Sequence, residues 1–425
     1  MIRRWISRQK ILPVTDVMKM KNIKQGIWDV VIVGAGPAGS AAASKLAKAG
    51  WRVLMLEKHA ANVTKFGESL APLGLGILEQ VIGTLDGPNA DRFGLRDCAG
   101  NLSSWHTPEL HIQDFFYTPE GRGLCIDRSR FDVALANLAH QNGVEVLKPA
   151  QFVQCHRAHV SDNWSVEIKH HDVHEWLTCR YLIDASGRNS VLANHLGVEK
   201  HQLDNLFAFG LFVEQNKEAQ TQKPDSDRFT RLEAVSDGWW YSNKLPINDD
   251  GDQDKSKRVL VFHTDLDIAE AKQAATLPGF IERLKSTDYL ESLIKHFGYE
   301  MVSRVRGAPA STGRLDTFSG EGWFAVGDAA MTFDPLSSQG MTKAMTAGLF
   351  AAELIHSGLR NIKENGHRQS DEFLSKRFLE EQEKVWQTYQ REYNYNYSMQ
   401  RRWSSHPFWA RRHQTHETEQ FREAP

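Results

Sequence analysis

Asp29-Val-Val-Ile-Val-Gly-Ala-Gly-Pro-Ala-Gly39 decides the reading of this chain. Val30 to Val33 is a short β-branched apolar run, the pattern of a strand buried on both faces of a parallel sheet. It runs into Gly34-x-Gly36-x-x-Gly39. A helix-forming stretch from Ala38 to Ala49 follows, then a second strand, Arg52 to Leu56, ending at Glu57. Together these make one βαβ unit of about 30 residues.

Each glycine has a separate task in such a unit. Gly34 lets the chain turn tightly out of the strand. Gly36 removes a Cβ where a pyrophosphate must approach the backbone. Gly39 lets helix and strand pack closely. The helix start, with Pro37 and Ala38, offers free N–H groups and a positive dipole end to phosphate. Glu57, about 20 residues on and followed by Lys58, is placed to accept hydrogen bonds from ribose hydroxyls. The expected ligand is a dinucleotide.

Composition narrows the rest. The chain has 425 residues, enough for two domains with a sizeable core. A net charge of −2 argues against nucleic acid as the main partner. Cys98, Cys125, Cys155 and Cys179 show no CxxC spacing, so neither a disulfide framework nor a zinc site is expected. The acidic run Asn248 to Asp254 resembles a calcium loop only loosely, and no metal is assigned. No apolar run is long enough to span a bilayer. Met1 to Gln25 is basic and lacks the pattern of a secretory signal; it reads as a solvated tail. The expected setting is a reducing cytoplasm.

Two further stretches repeat the theme of a strand ending at a ligand. Tyr181-Leu-Ile-Asp-Ala-Ser-Gly187 is an apolar strand closing on Asp184 and Gly187. Gly322-Trp-Phe-Ala-Val-Gly-Asp328 closes on Gly327 and Asp328, and Pro335 to Met341 then leads into a helix from Thr342 to Ser357. Three strand ends from distant parts of the chain thus point at one crevice. Between them the pattern alternates: Phe207 to Val213, Arg231 to Val235, Trp239 to Ser242 and Arg258 to His263 predict an antiparallel sheet. Asn248 to Asp254 predicts a hairpin turn, and Ile268 to Phe297 a helical stretch. Before the sheet, Lys65-Phe-Gly-Glu-Ser-Leu-Ala-Pro72 leaves the nucleotide fold, with Glu68 and Ser69 as an active-site wall or Ser69 as cap of a helix from Leu73 to Val81. Trp386, Tyr389, Tyr393 and Tyr397 recur at helical spacing before Trp403, Phe408 and Trp409. They form either a packed helix or a docking surface.

Taken together these motifs resemble the flavoprotein monooxygenases with a para-hydroxybenzoate-hydroxylase-like fold, over about Trp28 to Trp409. The resemblance implies a mixed α/β fold: a Rossmann-like FAD-binding domain, an inserted antiparallel-sheet substrate domain and a C-terminal helical segment. Its boundaries would be a basic tail at 1–26, a discontinuous FAD domain at 27–85, 120–202 and 303–360, a substrate domain at 86–119 and 203–302, and the helical segment at 361–425. It places FAD on Gly34, Gly36, Pro37, Ala38, Gly39, Glu57, Lys58, Ser69, Arg128, Asp184, Gly187, Gly327, Asp328, Pro335, Gly340 and Met341. Asp328 would hold the ribityl chain, Pro335 to Met341 would run past the isoalloxazine, and Arg128 would contact the flavin.

Gly67-Glu-Ser-Leu-Ala-Pro72, Gly238-Trp-Trp-Tyr-Ser242 with Leu245-Pro246, and the terminal Arg-Trp…His-Pro-Phe-Trp-x-Arg-Arg412 resemble one branch of that group. The branch contains flavin-dependent tryptophan halogenases and LodB-type maturation flavoproteins, which hydroxylate a tryptophan inside a partner protein. That partner is the precursor of an amine or amino-acid oxidase or dehydrogenase, and the product becomes cysteine tryptophylquinone. Halogenases guide hypohalous acid with a lysine after the Gly-Glu-Ser stretch, but no lysine lies between Lys65 and Lys148 here. They also carry Glu in a Pro-Leu-Glu-Ser segment, where this chain has Pro335-Leu-Ser-Ser338. Their Trp-x-Trp-x-Ile-Pro signature is echoed only loosely.

The chemistry implied is oxygenation of an electron-rich indole by reduced FAD and O2, in a site that excludes water. The single nucleotide fold leaves no dedicated NAD(P)H domain, so the expected reductant is transient NAD(P)H, free reduced flavin or a separate reductase. Glu68, Ser69 and Trp240 are the catalytic candidates, with Glu68 as a base whose pKa burial would raise. The alternatives are a small-molecule aromatic or indole hydroxylase or halogenase, an isoprenoid-lipid reductase and a flavin-binding chaperone.

Overall fold

The computed structural model describes residues 26–61, 65–158, 162–215, 225–246, 256–365 and 371–413. β1 (Ile27–Val33), α1 (Pro37–Lys48) and β2 (Val53–Leu56) form the expected βαβ unit. Both strands are buried on both faces, which is why their apolar runs are unbroken. β1 pairs in parallel with β2 on one side and with the end of strand Val173–Asp184 on the other. Strand Trp323–Ala325 lies beyond Val173–Asp184, and Glu145–Leu147 beyond β2. The sheet has eight strands. The remaining members include the antiparallel pair Ala150–Arg157 and Trp164–His170, which is the small excursion expected there.

A second eight-stranded sheet holds the alternating segments. Its central order is Leu206–Gln215, Lys257–Asp265, Gly238–Lys244, Phe229–Val235, Gly100–Ser104, His111–Asp114, all neighbours antiparallel except Phe229–Val235 on Gly100–Ser104. Alternation gives it two apolar faces. Trp240, Leu260 and Phe262 belong to one core, under the helices that follow. Trp239, Tyr241, Val259 and Val261 belong to the other, against the C-terminal segment.

Two local expectations change. Ile268 to Phe297 is three helices, Ala269–Ala274, Leu277–Leu284 and Tyr289–His296. Thr276 starts the second by accepting the N–H of Gly279, with proline at its first turn. Ser69 caps no helix: it lies in the short strand Ser69–Leu70, and the helix is Leu75–Ile82, entered through a 3-10 turn at Pro72–Gly74. The hairpin turn at Asn248 to Asp254 and the basic tail lie outside the described residues.

The C-terminal segment consists of Asp371–Met399 and Pro407–His413, following the long helix Gly340–Asn365. Trp386, Tyr389, Tyr397, Phe408 and Trp409 are buried, so these aromatics are packing rather than a docking surface. Arg412 grips Asp265 of the second sheet through two hydrogen bonds of 2.7 and 3.0 Å, with both side chains buried. The architecture is thus the mixed α/β fold implied by the motifs. No described helix is long and apolar enough to cross a membrane.

Candidate functional site

Register brings the three motifs together. Val33 pairs with Asp184, and Asp184 pairs with Ala325, so the three strands end side by side. The glycines behave as their spacing predicts. Gly34 has φ +113°, and a Cβ there would sit 2.2 Å from the Ala185 carbonyl oxygen. A Cβ on Gly39 would sit 2.0 Å from the Gly34 carbonyl oxygen, which fixes how closely α1 approaches the strand end. A Cβ on Gly36 meets nothing within 4 Å, which is the open cradle a pyrophosphate needs.

α1 begins with Pro37, carries no acid in its first turn and has no side-chain cap. Its N-terminal N–H groups and dipole are therefore left for an anion. Glu57 directly follows β2 and accepts hydrogen bonds from the N–H groups of Ala35 (3.3 Å) and His59 (2.9 Å). Lys58 beside it is exposed. Gly327 packs where α1 and the Gly340–Asn365 helix meet: a Cβ there would be 3.1 Å from those of Ala38 and Ala344. Asp328 is half-exposed, with Arg188 Nε 3.6 Å away.

Asp184 does not offer its carboxylate to the crevice. It is fully buried, and its oxygens accept from Ser186 (N and Oγ) and from the N–H groups of Leu192 and Ala193. The acid at this strand end organises the next turn and helix; what it leaves at the crevice is the backbone leading to Gly187. Met341 likewise turns its side chain into the apolar cluster with Leu70, Leu75 and Met345. Gly340 beside it is exposed, and a Cβ there would meet nothing within 4 Å. Pro335 is exposed at the opposite end of the stretch.

Glu68 is the most unusual group among the site candidates. It is only 2% exposed. Its Oε2 accepts from the N–H of Gly67 (3.0 Å) and the hydroxyl of Tyr241 (3.3 Å), while Oε1 is buried without a partner among the described residues. Desolvation pushes its pKa up to about 7, against the smaller opposing pull of backbone hydrogen bonds, Arg128 and Tyr241. Arg128 is held by Asp132 and donates to the carbonyls of Phe66 (3.3 Å) and Gly67 (3.4 Å), so it braces the loop carrying Glu68. Gly67 is required there: its φ is +100°, and a Cβ would lie 3.3 Å from Arg128 Nη1. Ser69 Oγ lies 3.5 Å from Thr230 Oγ1, linking the loop to the second sheet.

Trp240 is not brought to this site. It is fully buried between Phe262 and Phe280, on the opposite face of its strand from Glu68. Its neighbour Tyr241 is the residue that reaches Glu68, and the strict two-residue alternation of a strand is the signal that separates them. Also unforeseen is Asp334, buried ahead of Pro335, whose carboxylate accepts from Tyr397 Oη (2.7 Å) and the N–H of Leu336 (2.8 Å). Burial pushes its pKa up to about 6.

The residues present fit FAD: an open phosphate cradle, an uncapped helix start and aligned strand ends. The FAD binding domain family matches residues 28–360. The putative FAD-dependent oxidoreductase LodB of Marinomonas mediterranea is 28% identical over 402 residues, covering 91% of this chain and 97% of that protein. The 1H-pyrrole-2-carbonyl-[peptidyl-carrier protein] chlorinase of Pseudomonas fluorescens is 26% identical over 372 residues, covering 79% and 77%. The solved structure of the myxobacterial chondrochloren halogenase CndH superposes with a TM-score of 0.73 at 22% identity, covering 91% of this chain and 86% of its own; it shares the fold. The likeness to LodB-type flavoproteins read from the motifs therefore holds along the chain. With more than half its length matched, the chain belongs to the FAD binding domain family, as a flavin-dependent oxidoreductase whose cofactor is FAD.

Proposed function

We propose that the chain is an FAD-dependent monooxygenase that hydroxylates a tryptophan side chain in a partner protein. The partner would be the precursor of a quinone-cofactor oxidase or dehydrogenase, modified during cysteine tryptophylquinone biogenesis. Supporting this are the likeness to LodB over 91% of the chain and the missing halogenase lysine between Lys65 and Lys148. The observation that carries it is Glu68: a buried carboxylate with one oxygen unpartnered among the described residues, poised near neutrality.

The overall reaction balances as tryptophan C–H plus O2, two electrons and two protons, giving C–OH and water. Reduced FAD supplies the activated oxygen when bound. The chain's own residues do the rest. Gly36, the α1 start and Glu57 anchor the dinucleotide; Arg128 fixes the Glu68 loop; Glu68 takes the proton that the indole loses as oxygen enters. In this reading 27–85, 120–202 and 303–360 carry the cofactor, 86–119 and 203–302 face the substrate, and 361–425 closes the back. A reducing cytoplasm suits its four cysteines, all buried and none in a disulfide among the described residues.

The second reading is a small-molecule aromatic hydroxylase or halogenase, favoured by the shared fold of the halogenases. The test is turnover with reductant and O2. Consumption of free tryptophan or indole, or halide-dependent product, would favour the second reading. Product only on the partner protein supports the first.

A further inference from the structure

We infer that Tyr397 and Tyr389 are positioning residues that hold the stretch Pro335–Met341 against the cofactor and in register with the second sheet. The inference rests on reading Pro335–Met341 as the flavin-facing stretch. Both tyrosines lie on the Asp371–Met399 helix, about two turns apart and so on one face. They converge on Asp334, the residue before the stretch. The Asp334 N–H donates to Tyr389 Oη at 3.0 Å. Tyr397 Oη donates to Asp334 Oδ2 at 2.7 Å. The other carboxylate oxygen, Oδ1, accepts from the N–H of Leu336, inside the stretch.

Tyr397 also ties this point to the second sheet. Its hydroxyl oxygen accepts from Trp239 Nε1 at 3.1 Å, on the strand that carries Tyr241. Tyr389 Oη lies 2.8 Å from Thr312 Oγ1, beside strand Gly313–Leu315, which pairs with Met331–Thr332 just ahead of Asp334. Core packing alone needs no hydroxyl at either position. Here one buried hydroxyl meets the Asp334 carboxylate and a second takes its backbone N–H, an arrangement costly to bury unless each group has its partner. The aromatic helix is therefore a strap: its rings fill the core, and its hydroxyls set the height and tilt of the stretch.

Tyr393 supplies the control. It sits between the two, its ring 4.6 Å from that of Tyr397, yet it makes no hydrogen bond to Asp334 among the described residues. The experiment is titration of full-length apoprotein with FAD, at a temperature well below unfolding, following the visible circular dichroism of the bound flavin. Tyr397→Phe should raise the FAD dissociation constant about tenfold, the scale of one hydrogen bond to a charged group, and alter the dichroism. Tyr389→Phe should move both in the same direction, and Tyr393→Phe should change neither. Gly340→Val tests the reading beneath, because its side chain enters open space in the protein and would obstruct a flavin. Weakened binding in Gly340→Val with unchanged binding and dichroism in Tyr397→Phe would overturn the strap. Unchanged binding in both would overturn the flavin-facing reading, and the strap with it. A Tyr397→Phe protein that merely melts earlier, with FAD affinity intact, is packing alone and also overturns it.

Discussion

Tyr241 donates its hydroxyl to Glu68 Oε2 at 3.3 Å, across the seam between the second sheet and the loop that leaves the nucleotide fold. Both side chains are buried, and the second carboxylate oxygen faces no partner among the described residues. A carboxylate in this setting costs folding energy, and such costs are retained where the group does chemistry.

That cost is measurable. The folded-state pKa of Glu68 is raised from 4.5 to about 7, so between these values the folded state binds the extra proton. Its penalty is absent below the lower value, grows through the window and is complete above it, at about 3 kcal/mol. Glu68→Gln should therefore be more stable than the wild type in urea at pH 8, by up to that amount, and no more stable near pH 4. Oxygenation should fall by roughly 10²–10⁴-fold. A variant that loses stability at pH 8 would show that the carboxylate is structural.

Tyr241→Phe removes a donor that lowers the Glu68 pKa. With Glu68 as the proposed base, the acid limb of the pH–rate profile should move to higher pH. Trp240→Phe should leave that limb in place, because Trp240 lies on the other face of the strand. A pH–rate series on the two variants checks this.

Two glycines should fail in different ways. Gly36→Val places its side chain in open space, so the apoprotein should fold while FAD retention falls more than tenfold. Gly34→Val combines φ +113° with a 2.2 Å approach to Ala185, and should unfold or lose several kcal/mol, on the order of 3 or more. Thermal melting of each apoprotein, with flavin content read by absorbance, separates the two.

Arg412→Ala leaves the buried Asp265 carboxylate without its main partner and should cost about 3–5 kcal/mol. Arg411→Ala, half-exposed on the same acid, should cost about 1 kcal/mol or less. Urea denaturation of the pair measures the difference.

The nucleotide fold was legible because its requirements are local. Gly34, Gly36 and Gly39 answer to backbone space, and the apolar runs before Asp184 and Gly327 answer to burial on two faces. The site beside it was legible only in part. Glu68 stood out as an acid on a glycine-bounded loop, but its partner depended on which face of a strand points where. Trp239-Trp-Tyr241 names three aromatics, and alternation sends the middle one away. Asp184 read as a ligand-facing acid because strand ends commonly present one; the nearby N–H groups of Leu192 and Ala193 take its carboxylate instead. Asp334 could not be read at all, since Tyr389 and Tyr397 reach it from a helix more than fifty residues later.

The most direct test is on a protein of the proposed partner class, the precursor of a quinone-cofactor oxidase or dehydrogenase. It would be produced with and without this protein and examined by intact and peptide mass spectrometry. The account predicts oxygen added to a single tryptophan only when this protein is present, and absent with the Glu68→Gln variant. An unmodified partner, with reductant and O2 supplied and FAD bound, would contradict it.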